Sequence, residues 1–285
     1  MGGGTYCSTT RLLRSEAKGY TTKSTQEIFT AQNINSAMSP FGINVRESRD
    51  SVEHPNSLAI VLALDETGSM GTVPHYLVKE GLPLMMDSII KSGIADPQVL
   101  FLGIGDHECD QAPLQVGQFE SSDELLDKWL TDLYLEGHGG GNAGESYMLA
   151  WYFAAHHTAI DCFEKRLQKG VLITIGDEPV LPHVPANFLK NLMGPGQYEN
   201  YSSQKLLDEA REKYDVYHIH VRETGSGSRQ SVMDGWRQLL VDNLLIAERR
   251  TDVARLVVEA VCESAEIDNV QHVTAPVQPA ETMML

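Results

Sequence analysis

From Ser57 onward the chain alternates between short apolar runs and longer segments of helical period. Residues 58–64, 99–104, 171–175, 216–221 and 244–247 are each nearly all apolar, as expected of strands covered on both faces. Between and after them, helical periodicity marks residues 75–91, 123–134, 145–164, 186–193, 203–214, 231–240 and 252–262. Strand-length runs separated by helices predict an α/β fold: a doubly wound, mostly parallel central sheet with helices on both faces. The piece 114–119, bounded by Pro113 and Ser121, predicts one short antiparallel edge strand.

The ends of the chain read differently. Residues 1–56 are rich in Ser, Thr, Asn and Gly and lack sustained periodicity, which predicts an extended arm with at most a short helix near 25–31. Residues 57–262 form the folded domain. Residues 263–285 lose periodicity and carry two prolines, which predicts a flexible tail.

Composition narrows the function classes. With 42% hydrophobic residues in 285, a sizeable core can be buried. A formal net charge of −17 argues against nucleic acid and anionic membrane surfaces as partners, since phosphate recognition needs clustered Lys and Arg. Cys7, Cys109, Cys162 and Cys262 are scattered and form no CxxC pair, so neither a zinc site nor a disulfide scaffold is expected. A reducing, cytoplasmic setting fits, with no signal-like run and no stretch of roughly 20 apolar residues to span a bilayer.

Candidate chemistry begins where the first apolar run ends, in Asp65-Glu66-Thr67-Gly68-Ser69-Met70-Gly71. In open α/β sheets, ligands bind at the carboxyl ends of the strands. The anionic oxygen of Asp65 and the hydroxyls of Thr67 and Ser69, alternating along a Gly-containing turn, can converge on one hard cation, at about 2.1 Å for Mg²⁺. The same residues also suit a turn in which they merely cap the next helix.

This run resembles the opening of the metal-ion-dependent adhesion site of von Willebrand factor A domains, in the intracellular form of bacteria and phages. The resemblance extends over roughly residues 57–262. In that family a second loop adds an oxygen ligand, and a third loop, after the fourth strand, adds an Asp that usually reaches the metal through water. The resemblance assigns the third role to Asp177, at the end of Val171-Leu-Ile-Thr-Ile-Gly-Asp-Glu, and the second to Gly137-His-Gly-Gly-Gly-Asn-Ala-Gly-Glu-Ser. Asn142 stands where Thr or Asp is usual. Its carbonyl would be a neutral ligand, and Glu145 competes for the place, although at a helix start Glu145 can also simply favour the positive end of the dipole.

The site so implied is Asp65, Thr67, Ser69, Asn142 and Asp177 around Mg²⁺, with Mn²⁺ and Ca²⁺ as alternatives. Its open coordination position would take an Asp or Glu carboxylate of a protein partner, because a cation inverts the local electrostatics of an acidic protein. Intracellular A domains of this kind often act as adaptors for AAA+ ATPases of the MoxR type, which the resemblance implies as a partner class. No catalysis is expected.

Two rival readings stand beside this one. In a structural or assembly component the metal would only brace the loops. In a phosphoryl-transfer hydrolase Asp65 would be the nucleophile, but Thr67 occupies the place where that pattern has a second Asp. Other polar groups have plainer readings. Glu66 is expected exposed or paired, the Asp106–Asp110 stretch a solvated acidic loop, His218 with His220 and His156 with His157 core or capping histidines, and Cys109 an inert thiol. Oligomeric state is not encoded in any motif.

Overall fold

The computed structural model describes residues 4–68, 70–137, 142 and 144–266. Two helices, α1 (Ser8–Lys18) and α2 (Thr25–Ile28), precede strand β1 (Arg46–Ser48) and strand β2 (Ser57–Asp65). Helices α3 (Thr72–Tyr76) and α4 (Leu82–Lys91) are followed by β3 (Asp96–Ile104), β4 (Leu114–Val116), α5 (Asp123–Thr131), α6 (Met148–His156), β5 (Thr158–Ile160) and α7 (Asp161–Arg166). The rest is β6 (Gly170–Gly176), β7 (His183–Val184), α8 (Ala186–Met193), β8 (Tyr201–Ser202), α9 (Ser203–Lys213), β9 (Tyr214–Val221), α10 (Gln230–Leu240), β10 (Leu244–Ala247) and α11 (Val253–Ser264).

The main sheet runs β10-β9-β6-β2-β3-β4, with β4 antiparallel and the other pairings parallel. Strands β2, β3 and β6 are buried along their whole length, which is why their sequences are continuous apolar runs rather than alternating ones. The connection from β2 leads to β3 on one side, whereas the connections from β3 onward lead back to β6, β9 and β10 on the other. Right-handed crossovers therefore lay the two sets of helices on opposite faces. The direction of winding reverses between β2 and β6, and the crevice at their carboxyl ends is the topological switch point.

Two expectations are corrected. The segment before Ser57 is not extended, because α1 docks on α5 and α4, and Tyr6, Tyr20, Ile28, Phe29 and Met38 join the core. Helix α1 was invisible to hydrophobic periodicity because it turns Arg11 and Ser15 inward and leaves Leu12 and Leu13 59% and 60% exposed. Charge holds it instead. Arg11 lies 3.4 Å from Asp127, Lys18 2.6 Å from the same carboxylate, and Arg14 3.2 Å from Asp123.

The second correction is to the helix expected over 145–164, which is interrupted. The Thr158 hydroxyl turns back to the Ala154 carbonyl at 2.6 Å, and residues 158–160 pair with β1 as β5. Among the described residues no helix is long and apolar enough to cross a membrane. The tail expected to be flexible lies, from residue 267 on, outside the described residues.

Candidate functional site

Asp65 is the last residue of β2 and is 1% exposed. Its Oδ1 accepts from the Thr67 backbone N–H at 3.0 Å and from the Thr67 hydroxyl at 2.6 Å. Its Oδ2 accepts from the Tyr147 hydroxyl at 2.7 Å. On the neighbouring strand Ile175 pairs with Leu64, so Asp177 stands beside Asp65, one step further along the crevice. Asp177 is fully buried, and neither of its carboxylate oxygens has a hydrogen-bond partner among the described residues.

Burial, and after it the charge of Asp177, push the Asp65 carboxyl up to about 7, against the pull of its hydrogen bonds from Thr67 and Tyr147. A buried carboxylate with no donor costs several kcal/mol, roughly, unless a charge or donor meets it. With a second buried carboxylate beside it, Asp177 makes this crevice a place of concentrated negative charge. Protonation of one carboxyl or an added positive charge relieves it.

The second loop closes on the first and the third. An added Cβ on Gly68 would lie 2.8 Å from the Gly137 carbonyl oxygen, so the loop after β2 passes backbone to backbone against the stretch that begins the glycine run. The Glu145 N–H donates to the Pro179 carbonyl at 2.9 Å and the Leu181 N–H to the Glu145 carbonyl at 2.9 Å, which zips the second loop to the third. The Glu145 side chain is 6% exposed, and its Oε2 has no hydrogen-bond partner among the described residues. Burial foremost, then the charges of Asp65, Asp110, Asp106 and Glu178, push it up to about 10.

Asn142 is exposed and its amide donates to Glu108 Oε2 at 2.8 Å. Helix α6 begins only at Met148, so Glu145 precedes it and does not sit in its first turn. Ser69 lies outside the described residues, as do residues 138–141 and 143.

Several functional contacts had no motif to announce them. Tyr147 is buried, its hydroxyl holds Asp65, and its ring meets His218 and Trp236 edge-on at 5.2 and 5.4 Å. Gly176 makes room for it, since a Cβ there would lie 1.9 Å from the Tyr147 hydroxyl oxygen. Glu66 is buried against Gly103 and accepts from the Gln115 amide, so it is paired and points away from Asp65's crevice. A glycine inside an apolar strand, as at Gly103, is the one sequence signal that could have located this approach.

The remaining polar groups fall into place. The stretch 106–110 is a loop as expected, with Glu108 and Cys109 exposed, but Asp106 is 4% exposed and bonded within it: its N–H donates to Asp110 at 2.7 Å and its Oδ1 accepts from Glu108 N–H at 2.8 Å. His218 is a core residue stacked on Trp236 at 3.6 Å, and His220 shares a hydrogen bond with the Gly227 carbonyl at 2.8 Å. The Cys109 thiol is pushed up to about 11, chiefly by its hydrogen bond with Asp106. Among the described residues no group of three or more His, Cys, Asp or Glu is arranged to hold a metal. The oxygen groups described at the crevice are the Asp65 and Asp177 carboxylates and the Thr67 and Tyr147 hydroxyls.

No family model matches the chain, and no curated protein matches it in sequence. Among solved structures, the pilus adhesin SpaC from Lactobacillus rhamnosus GG in its open conformation is 12% identical with a TM-score of 0.47, over 79% of this chain and 31% of the adhesin. This chain thus spans about a third of that protein. The vWF domain of the type V pili tip protein Mfa5 from Porphyromonas gingivalis is 10% identical with a TM-score of 0.43, over 76% of this chain and 98% of that domain. The von Willebrand factor type A protein from Catenulispora acidiphila is 12% identical with a TM-score of 0.40, over 73% of this chain and 42% of that one. The likeness is one of fold alone.

Proposed function

We propose that the chain is a metal-dependent protein-interaction module of the von Willebrand factor A type. Asp65, Thr67, Ser69 and Asp177 hold one Mg²⁺, or Mn²⁺ or Ca²⁺ in its place, and the cation grips an Asp or Glu of a partner protein. The observation that carries this reading is Asp177: a fully buried carboxylate, both oxygens without a donor among the described residues, beside a second buried carboxylate at the switch point of the sheet. Glu145 supports it as the second-loop group that shares the electrostatic environment of Asp65, while Asn142 is turned to Glu108. A bound cation supplies positive charge for the partner's carboxylate, and the protein's part is to hold the donors in place through Tyr147 and the zipped loops.

Adaptor work with a AAA+ ATPase of the MoxR type, in a cytoplasmic setting, is the partner class that the resemblance to A domains supports. The phosphoryl-transfer alternative is disfavoured, because Thr67 occupies the place where that pattern has a second Asp to act as acid and base. Calorimetric titration of chelator-stripped protein with Mg²⁺ and Mn²⁺ tests the proposal. One-site binding that disappears in Asp65→Ala is expected. Wild-type protein that takes up neither ion, with or without an added acidic peptide, would refute it.

A further inference from the structure

Helices α3 and α4 are one continuous helix, with Tyr76, Leu77, Gly81 and Leu82 all in right-handed helical geometry. Its middle, Leu77–Gly81, is wound as a π turn: the Leu82 N–H donates to the Leu77 carbonyl, five residues back instead of four. In that register the Val78 carbonyl faces position 83, and Pro83 has no N–H to give it. Gly81 leaves room inside the turn, since a Cβ there would lie 2.9 Å from both Leu77 Cδ2 and Tyr76 Cε1.

The missing donor comes from the N-terminal arm. Arg11 of α1 is 1% exposed, and its Nη2 donates to the Val78 carbonyl. The same nitrogen lies 3.4 Å from Asp127, while Nε and Nη1 have no hydrogen-bond partner among the described residues. Burying a guanidinium so sparsely bonded is costly. Asp127 alone does not call for it, because Lys18 already meets that carboxylate at 2.6 Å. Other contacts lay the arm along the same helix: the Ser8 hydroxyl donates to Asp87, Thr25 Oγ1 shares a hydrogen bond with His75 Nδ1 at 2.7 Å, and Lys79 Nζ donates to the Thr21 carbonyl at 3.3 Å.

Short helix α3 is all that separates the π turn from the loop after Asp65. The Met70 N–H donates to the Thr67 carbonyl at 3.0 Å and the Val73 N–H to the Met70 carbonyl at 2.9 Å, so loop and helix are bonded turn by turn. Rewinding residues 77–81 in the α register would rotate the segment before them by about 100° and shift it about 1.5 Å along the axis. Thr67 would travel with that segment, out of its two hydrogen bonds to Asp65.

We propose that Arg11 is a positioning residue: by supplying the donor that Pro83 lacks, it clasps the π turn and so fixes the loop, Thr67 to Thr72, that carries candidate cation ligands. It touches no ligand and acts through the helix. The inference rests on the metal-dependent reading and gives the N-terminal arm a part in it.

Hydrogen exchange in chelator and Mg²⁺ calorimetry test it on wild type, Arg11→Met, Lys18→Met, Pro83→Ala and the double variant Arg11→Met with Pro83→Ala. Arg11→Met should bind Mg²⁺ roughly tenfold more weakly and lose protection at residues 77–82, while residues 58–64 stay protected. Lys18→Met removes another of the arm's ion pairs to Asp127. It should lower the melting temperature yet keep wild-type Mg²⁺ affinity and wild-type protection at 77–82. In Pro83→Ala a backbone N–H replaces the guanidinium as donor, so adding Arg11→Met there should weaken Mg²⁺ binding by less than about twofold.

Wild-type Mg²⁺ affinity in Arg11→Met, an equal loss in Lys18→Met, or the same cost of Arg11→Met with and without Pro83 would overturn the proposal and leave Arg11 as a brace of the arm alone. Wild type that takes up no Mg²⁺ would sink the cation reading. Exchange, read without metal, would then decide the clasp by itself: protection at 77–82 lost in Arg11→Met and kept in Lys18→Met upholds it, and loss in both or in neither overturns it.

Discussion

Replacing Asp65 by asparagine in metal-stripped protein isolates the electrostatic cost of the crevice. The Asp65 carboxyl is held at about 7 in the folded chain against its ordinary 3.8, a difference worth about 4 kcal/mol as a ceiling. The sign follows from the direction. A carboxyl whose value is raised by folding binds its proton more tightly in the folded state, so its stabilising contribution is complete below about pH 4 and is lost as pH rises towards 7. Above pH 7 the folded chain carries the full cost of two buried carboxylates.

In Asp65→Asn the new side-chain carbonyl would keep accepting from the Thr67 N–H and hydroxyl, and its NH₂ would meet the Tyr147 oxygen, which can accept in turn. Geometry is conserved and charge removed. Denaturant unfolding in chelator at pH 5 and at pH 8 should show wild type losing up to about 3 kcal/mol more than the variant over that interval. Glu145, Glu66 and Tyr147 are raised in part by the Asp65 charge, so the difference between the two proteins includes the relief of that repulsion as well as the loss of the Asp65 carboxyl itself. Mg²⁺ at about 100 times its dissociation constant should return about 2.7 kcal/mol to wild type at pH 8 and nothing to the variant. Parallel pH profiles in chelator, or an Asp65→Asn variant less stable than wild type at pH 8, would refute the reasoning.

Other outcomes follow from the same geometry. Glu145→Gln should weaken Mg²⁺ binding in calorimetry while Asn142→Ala leaves it unchanged; the reverse result would return the second-loop role to Asn142. Asp127→Ala strands the Arg11 guanidinium, since both partners are 1% exposed, and should cost about 3–5 kcal/mol. Hydrogen exchange would then accelerate across α1, and unchanged protection there would show that the arm is held by other contacts. Cys7 and Cys109 are both exposed, but the first thiol is lowered by its hydrogen bonds with Thr10 and the second is pushed up to about 11. Iodoacetamide near neutral pH should therefore label Cys7 first, as read by peptide mass spectrometry.

Much of this fold was legible along the chain because burial on both faces writes itself as apolar runs. The runs 58–64, 99–104, 171–175, 216–221 and 244–247 each fall within a parallel strand, and the edge piece at 114 pairs antiparallel as expected. Helix α1 was not legible, because what holds it is Arg11 on Asp127, a charge pair made with a residue over a hundred positions away. Local pattern carries no trace of such a partner. The break at His157 escaped for the same reason, since β5 exists by pairing with β1.

At the crevice the division is similar. Sequence alone put Asp65 and Asp177 at strand ends, because the apolar runs stop there. Only the tertiary structure decided that those two strands are neighbours, that Tyr147 reaches across to Asp65 through the space Gly176 leaves, and that Glu145 is buried near Asp65 while the Asn142 amide donates to Glu108. Strand formation follows from the burial of nearby residues, whereas the meeting of two carboxylates depends on strand order, which is settled by packing of the whole sheet.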